Sequence, residues 1–592
     1  MDYFTFNTMK YLLNLMICLL CTVNLQAQKH DFIWLSGYGG GLGSDDFGLT
    51  KIDFDQGNPE ISYILNKNIY LQLTNTGISN FDGKLRYYSN GDILIDHNLE
   101  LVPGAQNLSR VDKERGILID QCALFLSYPD KPEHYVLLYP NDTVYRIDTF
   151  GGAVAFNGMK VLIVKFDSFH KSHNVLSRDS VLTKEYILEG GFTAVRHANG
   201  RDWWILVFER SPSTFVQRYI LDPSGFKYAG KQNLTDYIRN GVSNAAFSPN
   251  GRYLSIMSDI GQKTGSFLYL LTFDRCKGNL ELILKENLIT RGLFSGVGFS
   301  PDSRYLYWGH SHKIYQMDLA EPDILGSAIL LDTIDPIPNF GMSWAFFRNG
   351  PDGRLYSGTG YGQPYLHVVE KPNLRGKASL PRRMGIQLKV RNNSTPNFPN
   401  YRLGPIDGSE CDTLGIDNVP WAWWRYDQDT AIYRCFEFVD LSGYLTEESE
   451  PEWYWDLGDG TQSRDTSPMH CYARDGVYEV CLIVKNKYGA DTLCRTLHVG
   501  TSSTDDEGKI IISSELFPNP ATDHFVLNLH DYLPERMYLH LVNAQGQTVH
   551  TQRLYQGSNV IDTHALPPGL YTALIYERGI LVKAEKLVVI GE

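Results

Sequence analysis

A basic surface is missing from this chain: its 592 residues carry 54 Lys and Arg against 67 Asp and Glu, a net charge of −13. Binding to nucleic acid needs clustered Lys and Arg to displace counterions from phosphates, so that class is set aside and a solvated acidic surface is expected. Long apolar runs are missing too. Beyond residue 28 no stretch approaches the ~18 uninterrupted apolar residues that a membrane-spanning helix requires. Amphipathic stretches of helical period are scarce. The usual catalytic signatures are absent as well: there is no nucleophile elbow, no His-Glu-x-x-His, no P-loop and no complete dinucleotide fingerprint. The run Gly37-Tyr38-Gly39-Gly40-Gly41-Leu42-Gly43 comes nearest, but it never completes the spacing and opens no helix. It reads as a flexible loop rather than a phosphate cradle.

What is present points to β-structure and export. Aromatics make up 12% of the chain, with 36 Tyr, and Gly numbers 53, the mixture of ring-bearing strands and permissive turns expected of an all-β protein. At roughly 150 residues per domain the length allows about four domains. Residues 1–27 read as a secretory signal: Lys10, the apolar run Tyr11 to Val23, then Leu25-Gln26-Ala27 as a small-residue cleavage site before Gln28. Asp2 is out of keeping with a basic start, and Met9, directly before Lys10, is an alternative first residue. A lipoprotein reading of Cys21 is disfavoured by Leu20. Of nine cysteines, Cys18 and Cys21 fall in the signal, leaving seven in a compartment where disulfides form.

An internal repeat organises the first two thirds. Phe247-Ser248-Pro249-Asn250-Gly251-Arg252-Tyr253-Leu254 returns 52 residues later as Phe299-Ser300-Pro301-Asp302-Ser303-Arg304-Tyr305-Leu306. Looser copies stand around Pro351-Asp352-Gly353-Arg354, Asn199-Gly200-Arg201, Phe81-Asp82-Gly83 and Tyr128-Pro129-Asp130. Each is a strand, a tight turn and a strand, the pattern of hairpins with type I′ turns. This period holds a four-stranded blade, so a β-propeller of six or seven blades is expected over residues 28–405. Strands at Phe32 to Tyr38 and Asn397 to Leu403 would close the ring. The pattern resembles the WD-like propeller repeats of periplasmic and surface proteins.

After a connector at 406–420 comes a second module, 421–500. It contains Trp453-Tyr454-Trp455-Asp456-Leu457-Gly458-Asp459-Gly460, then Pro468-Met469-His470-Cys471-Tyr472, then Gly476-Val477-Tyr478-Glu479-Val480-Cys481-Leu482-Ile483-Val484. In that order these segments resemble a PKD domain, an Ig-like β-sandwich. Strand alternation turns Tyr478, Val480, Leu482 and Val484 to one face and Cys481 to the other. A turn near Lys487-Tyr488 would bring Cys481 opposite Cys494, and we expect a disulfide there. Phe436 and Phe438 face inward by the same rule and Cys435 outward, with Cys435 to Cys471 a second candidate bridge. Cys122, Cys276 and Cys411 receive no assignment.

Residues 501–510 read as a polar linker, and 511–592 as a last domain. Leu516-Phe517-Pro518-Asn519-Pro520, then Asn543-Ala544-Gln545-Gly546-Gln547, then Leu566-Pro567-Pro568-Gly569-Leu570-Tyr571 and the terminal Lys583 and Lys586 resemble the type A C-terminal sorting domain of the type IX secretion system. The resemblance implies a Bacteroidetes source, translocation by that machinery, removal of the domain, and attachment to the cell surface or release.

Candidate ligand groups are few. His310 and His312 would share a strand face, as a metal pair could, but no third ligand is identifiable and an ordinary blade turn is the simpler reading. Asp456 and Asp459 could hold calcium, yet Asp in such turns ordinarily bonds backbone amides, so no cofactor is expected. Trp421, Trp423 and Trp424 form an aromatic cluster that could stack on a sugar or a protein partner; packing between propeller and sandwich is preferred. Asp-Thr-aliphatic triplets at Asp142, Asp332 and Asp412 resemble O-glycosylation sites. Together these point to a non-catalytic surface or secreted binding or adhesion protein, with ligand contacts on the propeller and the PKD module as spacer. The alternative is a secreted hydrolase or lyase whose site lies in the propeller's central funnel. Convergent carboxylates or His there, with shifted pKa values, would favour it.

Overall fold

The computed structural model describes residues 29–590 apart from 38–47, 65–67, 110–115, 118, 142, 147–152, 210–213, 235–237, 239–243, 260–265, 289–294, 311, 335–341, 361, 430–431, 444–448, 501–513, 530–536, 544–546, 555–556 and 578–579. The signal region, most of the Gly37 to Gly43 run, the 501–510 linker and Gly546 of the sorting motif lie outside the described residues or nearly so. The chain divides into two compact units, 1–499 and 500–592. Among the described residues there is no helix long and apolar enough to cross a membrane.

Among the described residues, antiparallel sheets account for nearly all of the first unit and arrange as seven blades followed by a sandwich. Blades 5, 6 and 7 are plain four-stranded meanders that begin with Asn244–Phe247, Ser295–Phe299 and Ala345–Asn349 as their innermost strands. Blades 3 and 4 are fused into one sheet, because a single 25-residue strand, Ser172–Arg196, forms the outer edge of one and the inner edge of the other. Its first part pairs with Ala153–Asp167 and its last part with Trp203–Glu209. The register breaks between Ile187 and Phe192, at the Gly190-Gly191 pair, where Gly190 takes φ 61°, a conformation few other residues tolerate. Blade 2 comprises Thr76–Ser79, Leu85–Ser89 and Leu94–Asp96.

Blade 1 is closed by the two ends of the propeller. Ile33–Gly37, Leu49–Asp53 and Glu60–Ile64 supply three strands. The innermost place is taken by 394–403, which forms no regular ladder. Instead it is fixed by side chains and isolated backbone bonds. Thr395 Oγ1 donates to the Phe346 carbonyl on blade 7, the Asn397 amide donates to Asn75 O (2.6 Å) beside blade 2, and Arg402 pairs with Asp31 at 2.6 and 2.8 Å. Without a ladder the segment is free to lean into the central channel, where Tyr401 donates to Phe125 O of blade 3 (2.8 Å) and Asn400 to Pro249 O of blade 5 (2.8 Å).

The repeated turns differ from the type I′ expectation. The Gly251 amide donates to Ser248 O (2.8 Å), and Pro249 occupies the first central position. Its ring holds φ near −65°, which the positive φ of a type I′ turn excludes. The turn is therefore of type I, followed by Gly251 at φ 70°. Ser248 Oγ accepts the Tyr253 amide (2.9 Å) and Asn250 Oδ1 the Arg252 amide (3.0 Å), and Ser300 and Asp302 repeat both bonds at 2.8 and 3.1 Å. The Ser-Pro-Asn/Asp spacing is thus a hydrogen-bonding requirement of the turn.

In the sandwich, Trp424–Gln428, Cys435–Asp440 and Met469–Cys471 face Gln462–Ser463, Glu452–Asp456, Gly476–Asn486 and Gly489–Val499 across a core of Trp424, Phe436, Phe438, Trp455, Val480, Leu482 and Val484. Cys435 lies on the other side of its strand from the two Phe yet is buried, contrary to the outward placement expected from alternation alone. It is covered within the bridge to Cys471, whereas Cys481 bridges Cys494 on a facing position of the neighbouring strand. A third bridge joins Cys276 to Cys411, tying the connector to blade 5, and Cys122 is free and buried.

The described residues of the second unit form a seven-stranded sandwich around Phe525, Leu527, Leu539, Leu541 and Ile575. Asn519, between Pro518 and Pro520, donates to Lys586 O (2.7 Å) and accepts from the Val588 amide (2.9 Å), so the opening motif is sewn to the last strand. Gly569 begins the strand that carries buried Tyr571, whose hydroxyl donates to Pro567 O (2.7 Å), and Lys583 pairs with Glu585 at 2.6 Å.

Candidate functional site

Three places in the first unit gather polar side chains. One is the central channel. Where the inner strands begin, Asp120 lies 3.4 Å from the Asn244 amide nitrogen, and Gln121 bonds both backbone groups of Ala245 across the channel (2.7 and 2.9 Å). Burial raises the Asp120 carboxyl to about 7, against the attraction of Arg348. The Arg348 guanidinium, itself buried, is committed to the carbonyls of Pro396 (2.9 Å) and Phe347 (3.1 Å) and to Asn397 Oδ1 (2.9 Å). Asp120 and Glu189 both act electrostatically on the buried Cys122 thiol, so a second carboxylate lies in this neighbourhood. The segment 394–403 runs along the channel, and inner-strand residues Thr193, Ala194, Ala245, Gly298 and Arg348 line the same open space as this segment.

The second place is a cleft of about 1280 Å³ where the turn face of blades 5 to 7 meets the sandwich, bounded by Pro249, Asn400, Glu370, Lys371, Glu437 and Tyr488 among others. Some of its charges are engaged with one another or with groups behind it. Lys371 reaches Glu437 of the sandwich at 2.8 Å, and Arg425 of the sandwich donates to Asp352 O (2.8 Å). Behind the lining, Arg354 holds Glu370 (2.6 Å), Asp352 (2.7 Å) and Asp427 (2.8 Å) together. Asp440, accepting from Trp453 Nε1 (2.9 Å), is pushed up by burial. A cleft with polar groups and low net charge suits neutral, hydrogen-bonding ligands better than ions.

The aromatic cluster lies beside this joint. Trp421 and Trp423 stack at 5.5 Å, and Trp423 meets Phe32 of blade 1 edge-on at 4.8 Å, while Arg495 covers its other side at 4.1 Å. Trp424 belongs to the sandwich core and donates to Leu493 O (3.0 Å). All three rings are at least nine-tenths buried. Their stacking faces meet protein.

The two histidines of the Gly309 to His312 run do not converge. A hairpin turn separates them, His310 ending Tyr305–His310 and Lys313 opening the next strand. His310 bonds Ser266 Oγ (3.0 Å) on blade 5, and His312 bonds Met342 O (2.7 Å) towards blade 7. Asp456 accepts the Gly458 amide (3.0 Å) and Asp459 the Thr461 amide (3.0 Å) and His470 (2.8 Å), which is the turn-holding role.

The third place had no signal in the sequence beyond the Asp96-His97 dipeptide. At the rim between blades 2 and 3, Asp96, His97 and His173 bring three ligand atoms within 4.8 Å of one another. Asp96 ends the last strand of blade 2, and His173 lies 77 residues on, at the start of the long Ser172–Arg196 strand. Desolvation holds the His97 imidazole below its usual range.

Comparison with known proteins bears on the two sandwiches. Residues 428–500 match the PKD domain family, and residues 515–590 match the Secretion system C-terminal sorting domain. Collagenase ColQ1 of Bacillus cereus (strain Q1) is 43% identical over 110 residues, 17% of this chain and 11% of that protein. The chain thus spans about a tenth of that relative's length. The crystal structure of the PKD1 domain of Vibrio anguillarum Epp aligns at 27% identity and a TM-score of 0.13, covering 15% of this chain and all of the other. A putative 6-phosphogluconolactonase from Bacteroides fragilis NCTC 9343 aligns at 11% identity and a TM-score of 0.29, covering 61% of this chain and 97% of the other. The chain accordingly carries a PKD domain and a secretion sorting domain, and the latter marks it for export to the cell surface or beyond.

Proposed function

We propose that this is a non-catalytic binding or adhesion protein of a Bacteroidetes-type cell, delivered by the type IX secretion machinery after removal of residues 1–27 and trimmed of its sorting domain at the surface. Its propeller is read as WD-like, and its ligand as an extracellular carbohydrate or protein held in the cleft between propeller turns and PKD sandwich. The observation that supports this reading is the make-up of the cleft: Lys371 is paired with Glu437 and Glu370 with Arg354, while amides, prolines and Tyr488 border open space. Such a surface offers hydrogen bonds and stacking to a ligand.

The test is an array of polysaccharides and matrix proteins, probed with purified protein and with Tyr488→Ala. Collagen belongs in the set because the aligned Bacillus cereus relative is by name a collagenase. Binding to one ligand class, weakened at least about tenfold by Tyr488→Ala with an unchanged circular dichroism spectrum, supports the reading. Equal binding by both proteins moves the ligand elsewhere.

The hydrolase or lyase alternative has one observation in its favour, the Asp120 carboxyl held at about 7 in the channel. Turnover of ester, glycoside or uronide substrates that Asp120→Asn abolishes would establish it; absence of turnover leaves binding.

A further inference from the structure

We propose that Asp96, His97 and His173 bind one divalent transition-metal ion of the zinc class, pinning the rim of blade 2 to blade 3. Two imidazole nitrogens and one carboxylate oxygen are a donor set suited to such ions rather than to calcium or magnesium, which prefer oxygen. Asp96 Oδ2 stands 2.9 Å from His173 Nε2 and 3.9 Å from His97 Nδ1. A tetrahedral ion with bonds of about 2.1 Å sets its ligands roughly 3.4 Å apart, between those two separations. The remaining imidazole-to-imidazole gap, at most 4.8 Å, closes with small rotations of two rings.

The surroundings are arranged as the outer shell of a metal site. Asp96 Oδ1 is fixed by the amides of Asn98 (2.8 Å) and Glu100 (3.0 Å), which leaves Oδ2 directed at the histidines. His173 Nδ1 bonds the Tyr87 hydroxyl (3.0 Å), a partner that sets ring orientation and frees Nε2 to ligate. Phe166 walls the site, 5.4 Å from each imidazole. Arg86, stacked on Phe166 at 4.4 Å, has its charge met by Glu133 at 2.9 and 3.2 Å.

A purely structural role accounts for the bond between His173 and Asp96 but not for His97. Its Nδ1 is buried and has no hydrogen-bond partner among the described residues, although it is aimed at the Asp96 carboxylate. Buried polar atoms are rarely left so, and a cation shared by the three ligand atoms satisfies it. Three protein ligands leave a fourth position for water.

Full-length protein stripped with a chelator is titrated with Zn²⁺ against a chromophoric competitor, and with Co²⁺ for its visible absorption. One tight ion per chain is expected, with cobalt bands of low coordination number. His97→Ala and His173→Ala should each weaken binding by at least about 100-fold, and Tyr87→Phe, which touches no metal, by about 10–100-fold. Tight binding that persists in folded His97→Ala overturns the proposal, as does a folded wild-type chain that takes up no ion. If His173→Ala fails to fold, His97→Ala decides, since its side chain is 26% exposed and its removal disturbs least packing.

Discussion

Burial has set several single ionisable groups far from their solution behaviour, with opposite consequences for stability. Asp120 is protonated in both folded and unfolded chains at low pH; on raising the pH the unfolded chain ionises near 3.8 and the folded one only near 7. Stability contributed by the neutral carboxyl is therefore full below pH 3.8 and is lost as pH rises through about 7, a difference of roughly 4 kcal/mol. His367 runs the other way. Desolvation lowers it from 6.5 to about 4, and its Nδ1 accepts the Met384 amide (3.0 Å) only while unprotonated. Its contribution is present above pH 6.5 and is lost as pH falls through about 4, roughly 3 kcal/mol. Urea midpoints measured from pH 4 to 8 should accordingly fall less steeply towards alkali in Asp120→Asn than in wild type, and less steeply towards acid in His367→Gln. Arg354 is the other residue on which much rests, since it neutralises Asp352, a fully buried carboxylate, while reaching Glu370 and Asp427. Arg354→Ala should destabilise the first unit by about 3–5 kcal/mol, read as a lowered thermal midpoint, because the buried charge loses its partner.

Among the elements, the connector between propeller and sandwich depends on a covalent tie rather than on packing. Its residues around Glu410 to Ile416 are largely exposed, and Cys411 is joined to Cys276 across 135 residues. Chain-entropy arguments give a loop of that length about 5 kcal/mol of stabilisation, against about 3 kcal/mol for the 13-residue separation of Cys481 and Cys494. Cys411→Ser should release the connector, so that a glutamate-specific protease cleaves after Glu410 at least about tenfold faster than in wild type, with mass spectrometry locating the cut. The closing segment 394–403 behaves differently. It lacks ladder bonds and is held by Asn397, Tyr401 and Arg402 through contacts to blades 1, 2, 3 and 7. Period and turn residues could mark Asn397 to Leu403 as a ring-closing piece, but whether it would extend a sheet or lean into the channel depended on six blades packing around it.

At the level of the whole molecule, the sorting domain makes export the property that every other role presupposes. A chain ending at residue 500 should accumulate inside the cell, whereas the full chain should reach the surface or culture fluid; immunoblots of fractions, with mass spectrometry of the released ends, check both. The all-β class, the propeller, the Ig-like module and the C-terminal domain were legible because each rests on local rules. Alternation has a period of two, turns need Pro, Asn, Asp or Gly at fixed offsets, and a blade repeats every 50 or so residues. Cys481 and Cys494 come opposite one another by the same local arithmetic, since one tight turn sets their register. Seven blades rather than six, the fused sheet of blades 3 and 4, and the Cys276 to Cys411 tie belong to no local rule. Likewise nothing in sequence joins Asp96 and His97 to His173, and the three tryptophans could be recognised as a cluster but not seen to bury their faces against Phe32, Arg495 and the sandwich core. Sequence by itself determined which segments become strands, turns and domains, because those depend on neighbours a few residues away. Only the tertiary structure decided which side chains meet, because a closed ring of blades brings together residues separated by tens to hundreds of positions, and burial then sets what each can do.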